Sequence, residues 1–422
     1  MFRILCIALA LASGLTSARA ADASDTSAPL TLEDAIRLAQ EHAPQVDAQQ
    51  AAVDAKTSLT TSAGRLPDPQ LVFGVDNLPV TGADAGSFTR DFMTMRKVGL
   101  MQSFPRGEKR RLQHTRAEAE ADVARAELTA TRLDIAREVS QAWIRRATTL
   151  ISLDQLRTLE SEVELSAASA RAALAAGRAS SADALSAEAA VAQLKTRVLK
   201  MNGVALQAQA QLERWIGAEE AARAPAALPA FDQLPVARET LLTTTHLHAS
   251  ILPFDARLAE ARTDVELARA ARRPDWSAEV SFAKRGPDFS DMASLQFTID
   301  LPVFAGTRQN PVIAARSAEV KRIEAEREGE LRMHGAELHE ALIEWEQAGE
   351  QLQQYERELV PLARERSRVT LASYRAGQAD LRLALDAFQD EVNVLIDRAD
   401  LQNERGQAWA FLRYLEPHHL QP

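Results

Sequence analysis

Few side chains in this 422-residue sequence have the type and spacing to hold an ion. Histidines gather as His246-x-His248, as His334 with His339, and as His418-His419; methionines gather as Met93, Met95 and Met101 around Lys97. Imidazoles suit zinc, and thioethers suit soft ions such as Cu(I). None of the histidine clusters has carboxylate or cysteine company at ligand spacing, so a solvated histidine is the expectation for each. The three methionines fall on one strand parity with Lys97, whose charge repels a cation, and methionine also fills irregular space in crowded interiors. There is no phosphate-binding glycine loop and no serine or cysteine nucleophile signature. The many acidic residues lie on highly charged helical stretches, where they form solvated faces. Neither catalysis nor a cofactor is expected.

What positions these residues is a rod. Glu108 through Ala176 is 69 positions without glycine or proline, built from good helix formers, and as one helix it would run roughly 100 Å. Propensity alone does not hold such a helix in place, so it must bury a seam. Small and aliphatic residues recur at sevens as Leu128, Ile135, Ala142, Thr149, Leu156, Val163 and Ala170, the period of supercoiled neighbours. A second rod carries Leu331, Leu338, Trp345, Leu352 and Leu359 at sevens, but also Gly329, Gly335, Gly349 and Pro361, so it should bend where the first does not. Val191, Leu194, Val198 and Met201 mark one returning seam; Leu381, Leu385, Phe388, Val392 and Leu395 mark another.

The chain is a tandem repeat. Ala176-Gly177-Arg178-Ala179 returns as Ala376-Gly377-Gln378-Ala379, and Leu185 with Ala187 returns as Leu385 with Ala387. The expected plan is a signal peptide over 1–20, a first repeat over 30–217, a proline-punctuated linker over 218–235 and a second repeat over 236–416. Within the first repeat, strands fall at about 70–76 and 94–104, a long helix at 108–176, a turn at 177 and a return helix at 181–216. Within the second, strands fall at about 276–283 and 294–301, a long helix at 312–376, a turn at 377 and a return helix at 379–415.

Arg3, the apolar run from Ile4 to Leu15 and Ala18-Arg19-Ala20 have the parts of a secretory signal, which places the protein outside the cytoplasm. The only cysteine, Cys6, lies inside that signal, so packing rather than disulfides must hold the mature chain. The net charge of −10 becomes −12 once Arg3 and Arg19 are removed, and an acidic, aromatic-poor chain argues against nucleic acid. No later stretch is apolar for long enough to be a membrane-spanning helix, so contact with a membrane must come through strands.

Those strand windows alternate cleanly. Trp276, Ala278, Val280 and Phe282 oppose Ser277, Glu279 and Ser281; Leu295, Phe297, Ile299 and Leu301 oppose Ser294, Gln296, Thr298 and Asp300. In the first repeat Leu71, Phe73 and Val75 share a parity, as do Val98, Leu100 and Phe104, interrupted by Gln102. One such hairpin alone would suit a soluble sheet, but two in an exported chain, each joined to a long rod, favour a membrane barrel. Four strands cannot close a barrel, whereas three chains contributing four each satisfy every edge.

In this order of elements the chain resembles the TolC family of outer membrane channels over nearly its whole mature length. The resemblance rests on the duplication, the two hairpins, the long rods and the turns Ala176 to Leu185 and Tyr374 to Leu381. It implies a mainly α protein with a membrane β-barrel: a homotrimer whose 12-stranded barrel sits in outer membrane lipid and continues as a long α-helical periplasmic barrel. It further implies a passive exit duct that works with a periplasmic adaptor (membrane fusion) protein and an inner membrane RND-type pump. The stretch Met93 to Phe104 followed by Pro105, Gly107, Glu108, Lys109 and Arg110 is most similar to the outer membrane component of heavy-metal efflux systems. On that reading Met93, Met95 and Met101 face the lumen. Rival readings are the same channel exporting drugs or other organic solutes, and a soluble periplasmic coiled-coil scaffold.

The turns lie at the far ends of rods long enough to cross most of the periplasm, and the resemblance places adaptor docking at Gly177, Arg178, Ala179, Gly377 and Gln378. Each glycine also simply permits a left-handed turn. Carried over from the family, Asp183 matches a gate acid, Tyr374 the gate tyrosine and Asp386 one aspartate of an acidic ring. Ala379 stands where a gate arginine would be and Leu383 where a second ring aspartate would be, so the closing network must be rebuilt, with Arg178 or Arg375 available as the cation.

Overall fold

The computed structural model describes residues 28–416; the expected signal peptide with Cys6, and the His418-His419 pair, lie outside the described residues. Ten helices and four strands follow in the order α1 (Leu32–His42), α2 (Pro44–Ser62), β1 (Gln70–Asp76), β2 (Met95–Phe104), α3 (Gly107–Ala175), α4 (Ser181–Ile216), α5 (Ala218–Ala222), α6 (Arg238–Thr243), α7 (Leu252–Ala270), β3 (Trp276–Lys284), β4 (Met292–Ile299), α8 (Gln309–Gln354), α9 (Val360–Arg375) and α10 (Leu381–Arg413). Among the described residues no helix is long and apolar enough to cross a membrane.

The first rod is one unbroken α-helix of 69 residues. All seven seam positions from Leu128 to Ala170 are buried, none more than 8 % exposed. Alanines dominate what they meet: Ala167 and Ala170 pack on Ala187 of α4 and Leu381 of α10, so the helices approach closely near the turns. Higher up, Leu156, Leu159 and Val163 meet Leu194, Phe388, Val392 and Leu395, drawn from both return helices.

The second rod departs from its strict heptads. Gly329, Gly335 and Gly349 lie within the continuous helix α8, and the irregularity comes instead at a π-helical turn over Tyr355–Leu359. Pro361, near the start of α9, has no N–H to give and its ring would crowd the carbonyl four residues back; a widened turn, in which the Val360 N–H reaches Tyr355 O, removes that clash without breaking the rod. The extra residue shifts the phase. Leu359 is 37 % exposed while Val360 takes the buried seam position at 8 %.

The linker wraps the helices as a belt. Three indole N–H groups hold this equator to backbone carbonyls: Trp143 to Leu30 (3.0 Å), Trp345 to Phe231 (2.8 Å) and Trp409 to Gln233 (3.2 Å). Leu30 forms a short parallel bridge to Pro225, and the Arg146 guanidinium donates to Arg223 O at 2.6 Å. Gly406 lets this belt close, since a Cβ there would lie 2.6 Å from Ile144 Cγ2. Trp143, Trp215, Phe231 and Trp409 belong to one core cluster that joins the two repeats.

The four strands form one antiparallel sheet in the order β1-β2-β3-β4, so the two repeats are stitched by the β2–β3 pair. Directly opposite residues share a face, and the register puts Leu71, Leu100, Val280 and Leu295 in one row and Phe73, Val98 and Phe282 in another. Every one of these side chains is more than half exposed. On the other face Ser281 and Ala283 are buried. Gly99 is needed there, because a Cβ would sit 2.8 Å from that of Ser281. Gln102, the polar interruption on the apolar face, donates its amide to Pro67 O (2.7 Å) and Ser103 O (2.9 Å) at the helix-proximal end.

Sheet and rods are joined by Asp275. Its carboxylate accepts from the Arg106 backbone N–H (3.1 Å) and from Lys109 Nζ (2.5 Å), while its carbonyl accepts from Asp300 N (3.0 Å) just past β4.

Candidate functional site

The two glycine turns are the same motif built twice. Gly177 and Gly377 have φ of +67° and +72°, the left-handed region that favours glycine. Arg178 N donates to Ala173 O (2.8 Å) and Gly177 N to Leu174 O (2.9 Å); Gln378 N donates to Ser373 O and Gly377 N to Tyr374 O, both at 2.9 Å. This pairing ends α3 and α9 by satisfying their last carbonyls, and leaves Arg178 and Gln378 exposed at the tip. Ala179 is half-buried beneath them.

The return helices start differently. Ser180 caps α4 and Asp183 completes a capping box: its carboxylate accepts from Ser180 N (2.9 Å) and Ser180 Oγ (2.6 Å), while Asp183 N donates to Ser180 Oγ (3.1 Å). The Ser180 hydroxyl, and then its backbone N–H, hold the Asp183 carboxyl below the usual range. In the second repeat Asp380 itself caps α10, accepting from Arg382 N at 3.2 Å. Leu383, at the position of Asp183, is 53 % exposed.

Asp183, Tyr374 and Asp386 therefore stand near the same end of the rods without forming one hydrogen-bonded set within a chain. The Tyr374 ring packs on the alanine cluster of Ala167, Ala170 and Ala187, and its hydroxyl makes no hydrogen bond among the described residues. Asp386 projects from α10 with its side chain 61 % exposed, and its nearest cation is Arg382 at 4.0 Å. Arg382 was not among the cations expected from the sequence, although its i,i+4 spacing to Asp386 was the available signal. Arg178 and Arg375 are exposed and form no ion pair among the described residues.

Above the turns, a groove of about 730 Å³ runs between α3, α9 and α10, lined by Glu162, Arg364, Ser367, Arg368, Arg375 and Glu391 among others. Burial pushes the Glu391 carboxyl upward, against an opposing hydrogen bond from Ser367.

On the polar face of the sheet, Met95 and Met101 share inward parity with Lys97, whose ammonium pairs with Glu279 at 3.1 Å and approaches Asp76 at 3.9 Å. Met292, opposite Ala283, has the same parity. Met93 does not. It precedes β2 in a loop where the Asp91 carboxylate accepts its backbone N–H at 2.8 Å, so the run of three methionines on one strand face is corrected to two. The loop acid draws the chain out of the strand, a local bond that alternation alone does not reveal.

The solvated-histidine expectation holds for His246 and His339, which are exposed, and fails for His248 and His334. These two are buried, 0 % and 4 % exposed, and far apart in sequence they meet with His248 Nδ1 2.7 Å from His334 Nε2. Among the described residues, no group of three histidine, cysteine, aspartate or glutamate side chains is placed to hold a metal ion.

The sequence matches the family described as outer membrane efflux protein over residues 35–218 and 247–415. No curated protein sequence matches it. Among solved structures, it is similar to a membrane protein from Pseudomonas aeruginosa (20% identity, TM-score 0.78, 91% of this chain and 89% of that one). It is also similar to the outer membrane protein VceC of Vibrio cholerae (19% identity, TM-score 0.75, 92% and 95%) and to CusC, solved for its folding and transmembrane channel formation (16% identity, TM-score 0.74, 91% and 92%). At these identities the likeness is one of fold, and it spans both repeats, the sheet and the rods.

Proposed function

The chain belongs to the outer membrane efflux protein family, and on that premise we propose that three copies form a passive duct carrying heavy-metal cations from the periplasm to the exterior. That it is an outer membrane efflux channel of the TolC type and not an enzyme follows from the family. The observation that carries the trimer is the sheet: among the described residues β1 and β4 have no further strand partner, while the face they share is apolar and exposed. Each free edge is a row of unpaired N–H and C=O groups that cannot face hydrocarbon, and a neighbouring copy's opposite edge satisfies it. Three such sheets give twelve strands.

The duct needs no chemistry of its own. Energy comes from an RND-type pump in the inner membrane, passed through a periplasmic adaptor that docks on the tips at Gly177, Arg178, Ala179, Gly377 and Gln378. Two features support a cation as cargo. The resemblance of the Met93 to Arg110 stretch to heavy-metal systems is one; the inward Met95, Met101 and Met292, with Asp76 and Glu279 beside them, is the other. Lys97 is neutralised locally by Glu279, which lessens its repulsion of a passing cation.

Transport in a deletion strain tests this reading. Loss of the gene should lower tolerance to at least one of zinc, cobalt, cadmium, copper or silver, and its return on a plasmid should restore it. Altered tolerance to drugs or solvents with unchanged metal tolerance would replace the metal by organic solutes. Recovery of the wild-type protein as a soluble monomer would favour a periplasmic scaffold over any channel.

A further inference from the structure

The outward face of the sheet is apolar apart from Gln102 near the helices and one charged pair at the other end. Where the strands meet the helices, Trp276 stacks on Phe104 with ring centroids 4.3 Å apart, an aromatic girdle of the kind that marks a membrane boundary. Leu100 and Val280 continue the apolar face above it. At the opposite end Arg96 and Lys284 are direct cross-strand partners on this same outward parity.

Both side chains are exposed, and neither forms an ion pair among the described residues. The Arg96 guanidinium donates only to a backbone carbonyl, Arg285 O, at 3.1 Å. Of the nearby acids, Asp76 turns inward towards Lys97, Asp84 pairs with Arg90 at 3.5 Å and Asp91 accepts the backbone N–H groups of Met93 and Thr94, while Asp288 and Asp291 of the loop between β3 and β4 are exposed and pair with neither cation among the described residues. Like charges directly opposite each other destabilise a ladder unless an anion lies between them. The position matters as much as the charge. Eight residues separate Trp276 from Lys284, roughly 26 Å of strand, which at a barrel's tilt is roughly 20 Å of height, close to the far edge of a ~25 Å apolar band.

We propose that Arg96 and Lys284 form a binding site for the phosphate groups of the glycolipid in the outer leaflet, whose acyl chains then lie along Leu100 and Val280 below. This rests on the outer membrane barrel described above. One phosphate between the two cations removes their repulsion and fixes the depth of the barrel, and three copies of the chain would ring it with such sites.

The test uses the full-length protein in phospholipid nanodiscs, with purified diphosphorylated lipid A, its dephosphorylated form and inorganic phosphate as probes. Lipid A affinity per assembly should weaken roughly thirtyfold in the Arg96→Gln/Lys284→Gln double variant, about what two interfacial cations contribute. The dephosphorylated lipid should bind wild type as weakly as lipid A binds the variant, and Lys284→Arg should bind like wild type. Equal lipid A affinity in wild type and double variant would overturn the site, as would equal binding of the dephosphorylated lipid or displacement of lipid A by millimolar inorganic phosphate. Failure of the wild-type chain to enter nanodiscs at all would overturn the membrane barrel first, a result distinct from a variant that inserts normally and still binds lipid A.

Discussion

His248 and His334 meet edge to face inside the helical body, with His248 Nδ1 2.7 Å from His334 Nε2 and ring planes at 90°. One ring must donate and the other accept, so the contact needs at least one neutral imidazole. Burial pushes His248 down to about 4, with His334 lowering it further and the Glu416 carboxylate opposing; burial lowers His334 too, against Glu337. Arg137 faces the pair and also disfavours charge on His334. A folded value below the ordinary 6.5 means the unfolded chain binds the extra proton first, so the stability from this group is whole above about 6.5 and is lost as pH falls towards 4. Between pH 7 and pH 5 the loss should be about 2 kcal/mol. Thermal unfolding at those two pH values checks it: a His248→Gln variant should show a smaller acid drop than wild type, and an unchanged drop would show that the pair does not titrate in this way.

The cross-strand register makes the membrane face testable residue by residue. Val280 lies between Leu100 and Leu295 on the exposed apolar face, whereas Thr298 pairs with Ser277 on the polar one. Val280→Arg should cost about 2 to 4 kcal/mol at mid-membrane and deplete assembled protein from the outer membrane fraction, while Thr298→Arg should assemble normally. Ser281, another polar-parity position, is too crowded to be a fair control, being buried against Gly99. Equal assembly of the two arginine variants would place the lipid on neither face.

Periodicity made the large features of this chain legible, because each is repeated many times over. A seam of seven residues from Leu128 to Ala170 and four alternating strands average out local exceptions. Single local bonds did not average out. Pro361 was visible, but its remedy was not: a π-turn, rather than a bend at the glycines, moves the seam from Leu359 to Val360. Met93 looked like the next residue of a strand until the Asp91 carboxylate claimed its N–H. The buried histidine pair joins residues 86 positions apart, and no spacing rule links them. The turn residues were legible because the repeat prints them twice, while Arg382, beside Asp386, has no copy that would draw notice.

The tips offer a cleaner separation of folding from docking. Gly177 and Gly377 hold left-handed φ, so alanine at either should cost about 1 kcal/mol through strain alone. Arg178 and Gln378 give only backbone N–H groups to the turn, so tryptophan at either should leave its hydrogen bonds intact. Arg178→Trp or Gln378→Trp should abolish export while assemblies and thermal stability stay at wild-type levels. Full resistance in a strain carrying both tryptophans would remove the tips as the adaptor's seat.

The last prediction concerns closure at this end. A duct permanently open to the periplasm would leak, so some polar contact must hold the tips together, and within one chain the three expected gate residues do not touch. Tyr374 has a hydroxyl without a partner among the described residues and Asp386 is exposed, so in the proposed trimer both are available to a neighbouring copy. Asp183 is harder to interpret, because its carboxylate already serves the capping box. Asp183→Ala would remove that cap at a cost of about 1 kcal/mol and could open the tip merely by fraying α4. Asp183→Asn keeps an acceptor for Ser180 N and removes only the charge, so it separates gating from capping. In planar bilayers, Asp183→Asn with Tyr374→Phe should raise resting single-channel conductance if the charge and hydroxyl close the gate. Asp386→Asn should lower cation selectivity and weaken block by divalent ions, since three carboxylates around one axis attract such ions more strongly than one does alone. If only Asp183→Ala opens the channel and Asp183→Asn does not, the residue is a helix cap and nothing more; if Asp386→Asn leaves selectivity unchanged, Arg382 at 4.0 Å already neutralises it and no acidic ring exists.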